Sequence, residues 1–407
     1  MYRIYAKQCV GLFLTGLLTG LLVGCPKAIE PLTPWVYGGN DGEYGLDGQQ
    51  TPDGGYILVA HAPSGINLVK ADENGNIMWS KTFGEFGYGA TAVRLVPDGG
   101  CVVAGSAGMP TWHPCALMHL LKTDESGNVE WSKMFPDVAG DVAADVQPTA
   151  DGGYIVLGRN DCITAEVLNV YLVKTDANGD PLWSKTYTFG QGDMYDAAQS
   201  VLETSDGEYV VAGYTYRLDW CYELRTNGLI GHSYSWLLKT NHDGDLLWRK
   251  TFGLSNWDQT CGAVRTSDNG YVMAGYFSLF PLRPEFTLIP GLLGAMYLRK
   301  TDADGNTVWV REFNIGLVMF LEGMCQTADG GYVLVGDARG KKILLIKTSE
   351  SGHVLWSRSV GNGGDLISAA AVQQTSSGDS VIVGSIESEG TSSDMYVFRI
   401  DPEGNPL

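Results

Sequence analysis

The sequence predicts an all-β fold: a seven-bladed β-propeller of four-stranded blades, with its ring closed by an N-terminal strand that completes the last blade. Three observations predict it. A Gly-rich phrase recurs seven times, a tryptophan phrase follows every copy but the last, and one further tryptophan stands ahead of the first copy. The composition agrees, because 44% hydrophobic residues can fill a large core and 54 glycines supply many turns.

The first phrase has the form seen in ADGGYIVLG, a tight turn followed by an apolar strand. Asp caps such a turn through its side chain, and Gly accepts the positive φ that other residues resist. The seven copies carry these residues at the first turn position: Asp53, Asp98, Asp151, Asp206, Asp268, Asp329 and Ser377. A small sheet with one apolar face cannot bury that face alone, so seven such units are expected to stack around a ring.

The second phrase reads DANGDPLW in its plainest copy and ends on a tryptophan. Its six complete copies place that residue at Trp79, Trp131, Trp183, Trp248, Trp309 and Trp356. The seventh copy, DPEGNPL, stops at Leu407 before a tryptophan is reached, whereas Trp35 stands just before a glycine pair near the start. We therefore expect residues 35–39 to supply the outermost strand of the last blade, which also removes an open sheet edge.

The N-terminus has the pattern of an export signal. Arg3 and Lys7 precede an apolar run over residues 10–23, which is too short for a typical membrane-spanning helix and ends in LVGC at Cys25. This ending resembles the lipobox of bacterial-type lipoproteins, and the resemblance implies cleavage before Cys25 and attachment of lipid to it. An ordinary signal peptide or an uncleaved anchor is the alternative. The predicted organisation is a signal peptide over 1–24, a lipid-anchored linker over 25–34 and the propeller over 35–407.

The repeated phrase resembles the tryptophan-docking repeat of quinoprotein-like propellers, in which an Asp-x-x-x-Gly turn precedes a tryptophan that packs between blades. The resemblance covers nearly all of residues 35–407 and implies architecture. Enzymes of that family bind a quinone and calcium inside an eight-bladed ring, whereas this sequence has seven repeats and no matching cofactor motif, so no cofactor is expected. A propeller lipoprotein that helps to assemble outer-membrane proteins is similar in layout, again with eight blades.

The formal charge of −19 indicates a surface that repels nucleic acid and anionic lipid headgroups. No polybasic stretch follows Cys25, so membrane attachment would depend on the lipid. We expect an exported monomer, anchored to the cell membrane or outer membrane, with no nucleic-acid partner.

Two insertions between the second and third strands of a blade distinguish one face of the ring. They fall in blade four, over residues 214–236, and in blade five, over residues 276–294, and both mix aromatic residues with arginines. Such residues concentrate binding energy at interfaces. The alternative is a lid in which the two loops form a small core. The predicted anchors for a protein or glycan partner are Arg217, Trp220, Tyr222, Arg225, Phe280, Arg283 and Phe286.

Acidic residues recur where blades connect, at Glu43, Asp141, Asp196 and Asp258. A ring of carboxylates at the channel mouth is one interpretation, and capping of the loops through side-chain hydrogen bonds is the other. The DxDG at Asp302 lacks the bidentate Glu of an EF-hand and is interpreted as a hairpin turn. No metal site is predicted.

Catalytic motifs are absent from the sequence: the six histidines show no HExxH spacing, and there is no GxSxG. We therefore expect a non-catalytic binding protein of the cell envelope. A competing hypothesis is a sialidase-like glycan hydrolase, whose inner strands would offer Arg94 and Arg265 but no evident third arginine. Two further hypotheses are an envelope assembly scaffold and a passive surface structure.

Six cysteines follow Cys25, and none stands in a CxxC pair. We expect Cys101, Cys261 and Cys325, which fall in predicted strands, to be buried thiols. The predicted disulfide joins Cys162 to Cys221, with Cys115 to Cys162 as the rival pairing.

Overall fold

The fold was analysed from a computed structural model, which describes residues 27–29, 34–38, 42–84, 89–107, 117–139, 141–160, 169–188, 194–220, 229–253, 257–278, 294–313, 318–338, 342–361, 365–388 and 392–407. These residues form 29 strands and no helix. Seven antiparallel blades of four strands surround a central channel, as the repeats predict.

The strands of each blade run from the innermost outward in chain order. Blades one to four contain β3 Tyr44–Gln50, β4 Tyr56–Ala62, β5 Gly65–Ala71 and β6 Ile77–Phe83; β7 Gly89–Leu95, β8 Cys101–Ala107, β9 Leu117–Thr123 and β10 Val129–Ala139; β11 Asp141–Pro148, β12 Tyr154–Asn160, β13 Val170–Thr175 and β14 Pro181–Tyr187; β15 Met194–Glu203, β16 Tyr209–Trp220, β17 Leu229–Thr240 and β18 Leu246–Phe252. Blades five to seven contain β19 Trp257–Arg265, β20 Tyr271–Ser278, β21 Gly294–Thr301 and β22 Thr307–Phe313; β23 Val318–Gln326, β24 Tyr332–Ala338, β25 Lys342–Thr348 and β26 Val354–Gly361; β27 Leu366–Gln374, β28 Ser380–Glu387, β29 Asp394–Ile400 and, from the N-terminal side, β2 Trp35–Tyr37.

The ring closes through the N-terminal strand, which confirms the prediction from the truncated last repeat. Strand β2 pairs antiparallel with β29, with Trp35 opposite Val397 and Tyr37 opposite Met395. The amide of Glu43 adds a hydrogen bond of 2.6 Å to the carbonyl of Ser393. The last blade is therefore built from both ends of the chain.

Strand β1, Lys27–Ile29, was not predicted and lies inside the expected linker. It pairs in parallel with β26 on the outer edge of blade six, with Lys27 opposite Arg358 and Ile29 opposite Val360. Blade six is therefore a five-stranded sheet.

A tryptophan on the outer strand of each blade packs against a glycine in the turn before the outer strand of the next blade. At Gly127, for example, φ is +73°, and a Cβ would lie 2.8 Å from the Trp79 ring. The seven pairs are Trp35 with Gly75, Trp79 with Gly127, Trp131 with Gly179, Trp183 with Gly244, Trp248 with Gly305, Trp309 with Gly352 and Trp356 with Gly404. Only glycine leaves room for the indole in this conformation, which explains why the two residues recur together in every repeat.

A second contact accompanies this docking. In several blades a basic residue two positions after the tryptophan reaches the residue that follows the glycine, as Lys133 does to Asp180 at 2.6 Å and Lys81 to Asn128 at 2.7 Å. The apolar core lies in layers between blades rather than at one centre. One such layer joins Val59 and Leu68 of blade one to Val93 and Val103 of blade two.

Candidate binding face

The propeller has two faces of different character. The turn face carries the connections between strands one and two in all seven blades and those between strands three and four in blades one to six, and all of them are short turns. The loop face carries the connections between strands two and three and those from blade to blade.

The turn face repeats one ion pair with little variation. In blade five the buried ammonium of Lys300 donates to the Asp268 carboxylate at 2.5 Å, while the Thr266 hydroxyl donates to the same oxygen at 2.6 Å. These hydrogen bonds, that of Lys300 first, lower the pKa of Asp268 to about 2. The corresponding pairs are Lys70 with Asp53, Lys122 with Asp98, Lys174 with Asp151, Lys347 with Asp329, Lys239 with Glu208 and Arg399 with Asp379. The turn face therefore has nearly the same structure in every blade.

Blade four projects beyond the other blades on the loop face. The sequence suggested a long inserted loop, but β16 and β17 each continue for 12 residues and stay in register until Trp220 lies opposite Leu229. Most of the insertion is therefore a β-hairpin continuous with the blade. At the end closer to the body of blade four, the hairpin also contacts blade five through a parallel bridge between Ser233 and Trp257.

The predicted anchors lie at or beyond the end of this hairpin. Arg217 and Trp220 are on the distal half of β16, opposite His232 and Leu229. The other predicted anchors, Tyr222, Arg225, Phe280, Arg283 and Phe286, lie outside the described residues. The same holds for Cys25 and for the predicted disulfide partners Cys162 and Cys221 with their rival Cys115.

Buried polar contacts fix the base of the hairpin. The Thr215 hydroxyl donates to Asp196, and the Ser235 hydroxyl donates to Asp258. Ser235 also lies 2.6 Å from the Tyr297 hydroxyl. Asp196 and Asp258, two of the recurring acidic residues, thus act as hydrogen-bond acceptors between strands.

Of the other two recurring acidic residues, Glu43 is buried, and the side chain of Asp141 is outside the described set. Within the described ranges no three His, Cys, Asp or Glu side chains are grouped so that they would hold a metal ion.

An aromatic cluster lies beside this base, where blades four, five and six meet the channel. The rings of Tyr276 and Phe320 pack edge to face with centroids 5.6 Å apart, and the Tyr276 hydroxyl donates to Gln259. Tyr214 and Tyr216 of the hairpin follow, with centroids 6.2 Å apart. All four rings are partly exposed, so they offer apolar surface at the channel mouth.

Each innermost strand has a β-bulge at the corresponding position, and Glu322 is the only carboxylate among the seven bulged residues. These residues are Leu46, Thr91, Ala144, Gln199, Cys261, Glu322 and Ala370. The Glu322 side chain is exposed to solvent, yet the surrounding protein and then the carboxylate of Asp337 raise its pKa to about 7. Sequence reasoning missed this residue. Aligning the innermost strands would have shown it as the single charged residue at that position.

An ion-pair triad joins the innermost strands of blades one, two and three. Arg94 of β7 bonds to Asp47 of blade one and, at 2.6 Å, to Asp145 of blade three. Asp47 and Asp145 also accept the amides of Val93 and Val201 from their following blades, each at 3.1 Å. Arg94 is thus committed to contacts between blades.

The second arginine considered for a glycan hydrolase is also engaged. Arg265 donates to the side chain of Asn269 in its own turn at 2.6 Å. Both arginines therefore contact protein groups in this structure.

The three cysteines within the described ranges are free thiols. Cys101 is buried, whereas Cys261 and Cys325 are only partly so, which departs from the expectation of three buried thiols. Burial raises the pKa of all three thiols, to about 11 for Cys101 and about 12 for Cys325. None of these three has the low pKa of a reactive cysteine.

No described segment is a helix long and apolar enough to cross a membrane. No family model matches the chain, and no curated protein matches it.

The chain is similar to several solved structures. One is BBS1N in complex with ARL6DN, at 11% identity over 91% of this chain and 93% of the other, with a TM-score of 0.45. Another is Drosophila Plexin A in complex with Semaphorin 1b, at 10% identity over 91% and 88%, with a TM-score of 0.47. A third is the GH93 α-L-arabinofuranosidase of Fusarium graminearum with arabinobiose, at 10% identity over 92% and 97%, with a TM-score of 0.46.

The seven blades assign the protein to the β-propeller class. The similar structures include an enzyme as well as proteins in complex with a partner, so they do not bear on activity.

Proposed function

We propose that this protein is a non-catalytic propeller of the cell envelope that binds a protein partner or a glycan through its loop face. The observation that carries the proposal is the hairpin of blade four, whose paired strands extend beyond the sheet to Trp220 and Leu229. The base of the hairpin is fixed by buried hydrogen bonds to Asp196 and Asp258. A rigid frame with projecting variable segments is the usual arrangement of a recognition surface.

The asymmetry between the faces supports this function. Surface connections accept extra residues at small entropic cost, so chance insertions would fall on both faces. Here the turns of the other face stay short in all blades, while the large insertions share the loop face. An envelope assembly scaffold would use the same surface and is included in the proposal.

The lipobox-like sequence supports the proposed location, and strand β1 supports an orientation on the membrane. We place the protein outside the cytoplasm, held by lipid on Cys25. Strand β26 begins after a turn of the turn face and runs toward the loop face, and β1 is parallel to it. The amino end of β1 at Lys27 is therefore directed toward the turn face. An anchor at Cys25 would hold the turn face near the bilayer and leave the loop face accessible to a partner.

One observation favours glycan hydrolysis as a second candidate. Glu322, with a pKa of about 7, lies near a second carboxylate, Asp337, and beside aromatic rings. A carboxylic acid with a raised pKa is what a glycosidase uses as general acid. Release of nitrophenol from a panel of nitrophenyl glycosides, lost in Glu322→Gln, would establish this candidate in place of the first.

The binding proposal is tested by site-specific crosslinking on intact cells. A photoreactive residue replaces Tyr234, which is 38% exposed on the hairpin, or Met78, which is 59% exposed on the outer edge of blade one. We expect discrete crosslinked products from position 234 alone. Because Tyr216 and Ser233 are paired, residues 217–232 can be replaced by a short Gly-containing turn that keeps the register. The trimmed protein should keep its thermal transition and lose the products. Equal products from the trimmed protein would refute the proposal.

A further inference from the structure

The channel mouth between blades four and six combines a carboxylate with aromatic rings. Glu322 lies at the bulge of β23, two residues after Phe320. Asp337 of β24 lies directly opposite Phe320 in the strand pairing, and the ring of Tyr276 packs on Phe320. Burial raises the pKa of Tyr276 most, followed by Tyr214 of β16 and then by the charge of Glu322. Burial, followed by the charge of Glu322, also raises the pKa of Cys261 on β19. Several neighbouring strands therefore contribute side chains to one region.

The charges that face Glu322 are negative. Asp337 on β24 repels its carboxylate, and half-buried Asp337 accepts the amide of Ala369 from blade seven. Within the described ranges no Lys or Arg forms an ion pair with either residue. The elements that pack around Glu322 contribute Cys261 and Tyr276, which are both neutral at physiological pH because burial raises each pKa.

Asp337 also acts on a buried hydroxyl group, that of Tyr396. The Tyr396 hydroxyl is fully buried and has no hydrogen-bond partner among the residues that the structure describes, and its pKa is raised by burial and then by the charge of Asp337. The channel mouth thus has a carboxylate without an ion pair, Glu322, and a second carboxylate, Asp337, opposite Phe320. The Tyr396 hydroxyl belongs to the core layer behind them.

We propose that this channel mouth receives a cationic side chain, lysine or arginine, from a basic protein partner. The inference deepens the proposed function and rests on it. A cation over an aromatic face and beside a carboxylate gains from both interactions, and the gain grows where water is partly excluded. A divalent metal would require more carboxylate or imidazole ligands than the described residues bring together. The formal charge of −19 adds long-range attraction for a basic partner.

The site should respond to pH near neutrality. The carboxyl of Glu322 is ionised above its pKa of about 7 and neutral below it. An ammonium group is attracted only to the ionised form. Affinity for a cation should therefore rise by about tenfold from pH 6 to pH 8, since the ionised fraction rises by about that factor.

The test uses two probes that differ in charge and little in shape. Binding of Nα-acetyl-lysinamide and Nα-acetyl-norleucinamide to the mature protein is measured by NMR titration at pH 6 and pH 8. We expect binding of the lysine probe alone, tighter at pH 8, and at least tenfold weaker binding to Glu322→Gln. Asp304→Asn, which removes an exposed carboxylate on the turn face, is the matched control and should bind as wild type does.

Each other outcome is decisive. Equal binding of the norleucine probe, or a Glu322→Gln protein that binds as wild type does, would overturn the inference. The pH series on the wild-type protein keeps the test valid if Glu322→Gln does not fold, because pH-independent binding also overturns it. Crosslinking from position 234 separates the two proposals. If the crosslinks persist in Glu322→Gln and lysine binding is unchanged, the binding face remains and only the cation site is wrong.

Discussion

The indole of Trp35 packs against Gly75, so the first tryptophan of the propeller belongs to the last blade and touches the first. The Tyr37 hydroxyl donates to the carbonyl of Gly75 at 2.9 Å, and Trp35 and Tyr56 lie with ring centroids 5.8 Å apart. The docking of the indole on glycine repeats at the ring closure what the other six blades do within the continuous chain. Closure is therefore held by side-chain packing as well as by strand pairing.

Replacing Trp35 by Ala should lower the free energy of unfolding by about 3 kcal/mol, the usual cost of truncating a packed aromatic residue. The neighbouring Val36 is exposed, so Val36→Ala is the matched control and should change stability by no more than about 0.5 kcal/mol. Urea unfolding followed by tryptophan fluorescence and circular dichroism measures both. Equal stability of the two variants would contradict closure through the indole.

The docking of tryptophan on glycine is testable within the ring at Gly127 and Trp79. Gly152 has a similar positive φ, but a methyl group added there would meet nothing within 4 Å, so Gly152→Ala should cost only the backbone strain, about 1 kcal/mol. Gly127→Ala should cost at least twice as much, because the methyl collides with the indole. In a double-mutant cycle, Trp79→Ala should relieve the excess and give a coupling of about 1 kcal/mol or more. Additive losses would show that the collision is avoided by other movements.

The sequence predicted the ring because its determinants are local. Asp, Gly and Trp recur at fixed spacing, and each has a steric or hydrogen-bonding reason to be where it is, as Gly127 and Trp79 show. The hairpin of blade four was predicted as a loop, because no pattern in the sequence indicates that Trp220 pairs with Leu229 on the opposite strand. Strand β1 and Glu322 were missed for the same reason: their roles depend on neighbours that are distant in the chain.

The triad of Asp47, Arg94 and Asp145 should be expensive to break. Removing Arg94 by Arg94→Leu leaves two carboxylates between blades without their cation, which should cost about 3 to 5 kcal/mol at pH 7. Burial already raises the pKa of Asp145 in the presence of Arg94. Without the arginine Asp145 should protonate still more readily, so the loss should be smaller at pH 5 than at pH 7. Urea unfolding at the two pH values checks this, and a loss independent of pH would show that Arg94 contributes packing alone.

The ion pairs of the turn face should make the protein sensitive to acid. Hydrogen bonds from Thr51 and then Lys70 lower the pKa of Asp53 to about 2, and those from Lys300 and Thr266 do the same for Asp268. A carboxyl with a lowered folded-state pKa stabilises the protein above its ordinary pKa of about 4, and this contribution is lost as the pH falls toward 2. The thermal midpoint should therefore decrease as the pH is lowered from 4 to 2. Lys300→Met should reduce that dependence, and an unchanged slope would show that the pair does not contribute.

The orientation on the membrane is the last prediction, and it rests on the direction of β1. Lys27 begins a strand parallel to β26, so the amino end of β1 is directed toward the turn face. Leu355, which is 59% exposed near the start of β26, then lies on the side that faces the bilayer, whereas Tyr234 lies on the opposite face. For lipidated protein on liposomes, a fluorophore at position 355 should be quenched by spin-labelled lipid several-fold more than one at position 234. Cys25→Ala should abolish quenching at both positions, and stronger quenching at 234 would reverse the orientation.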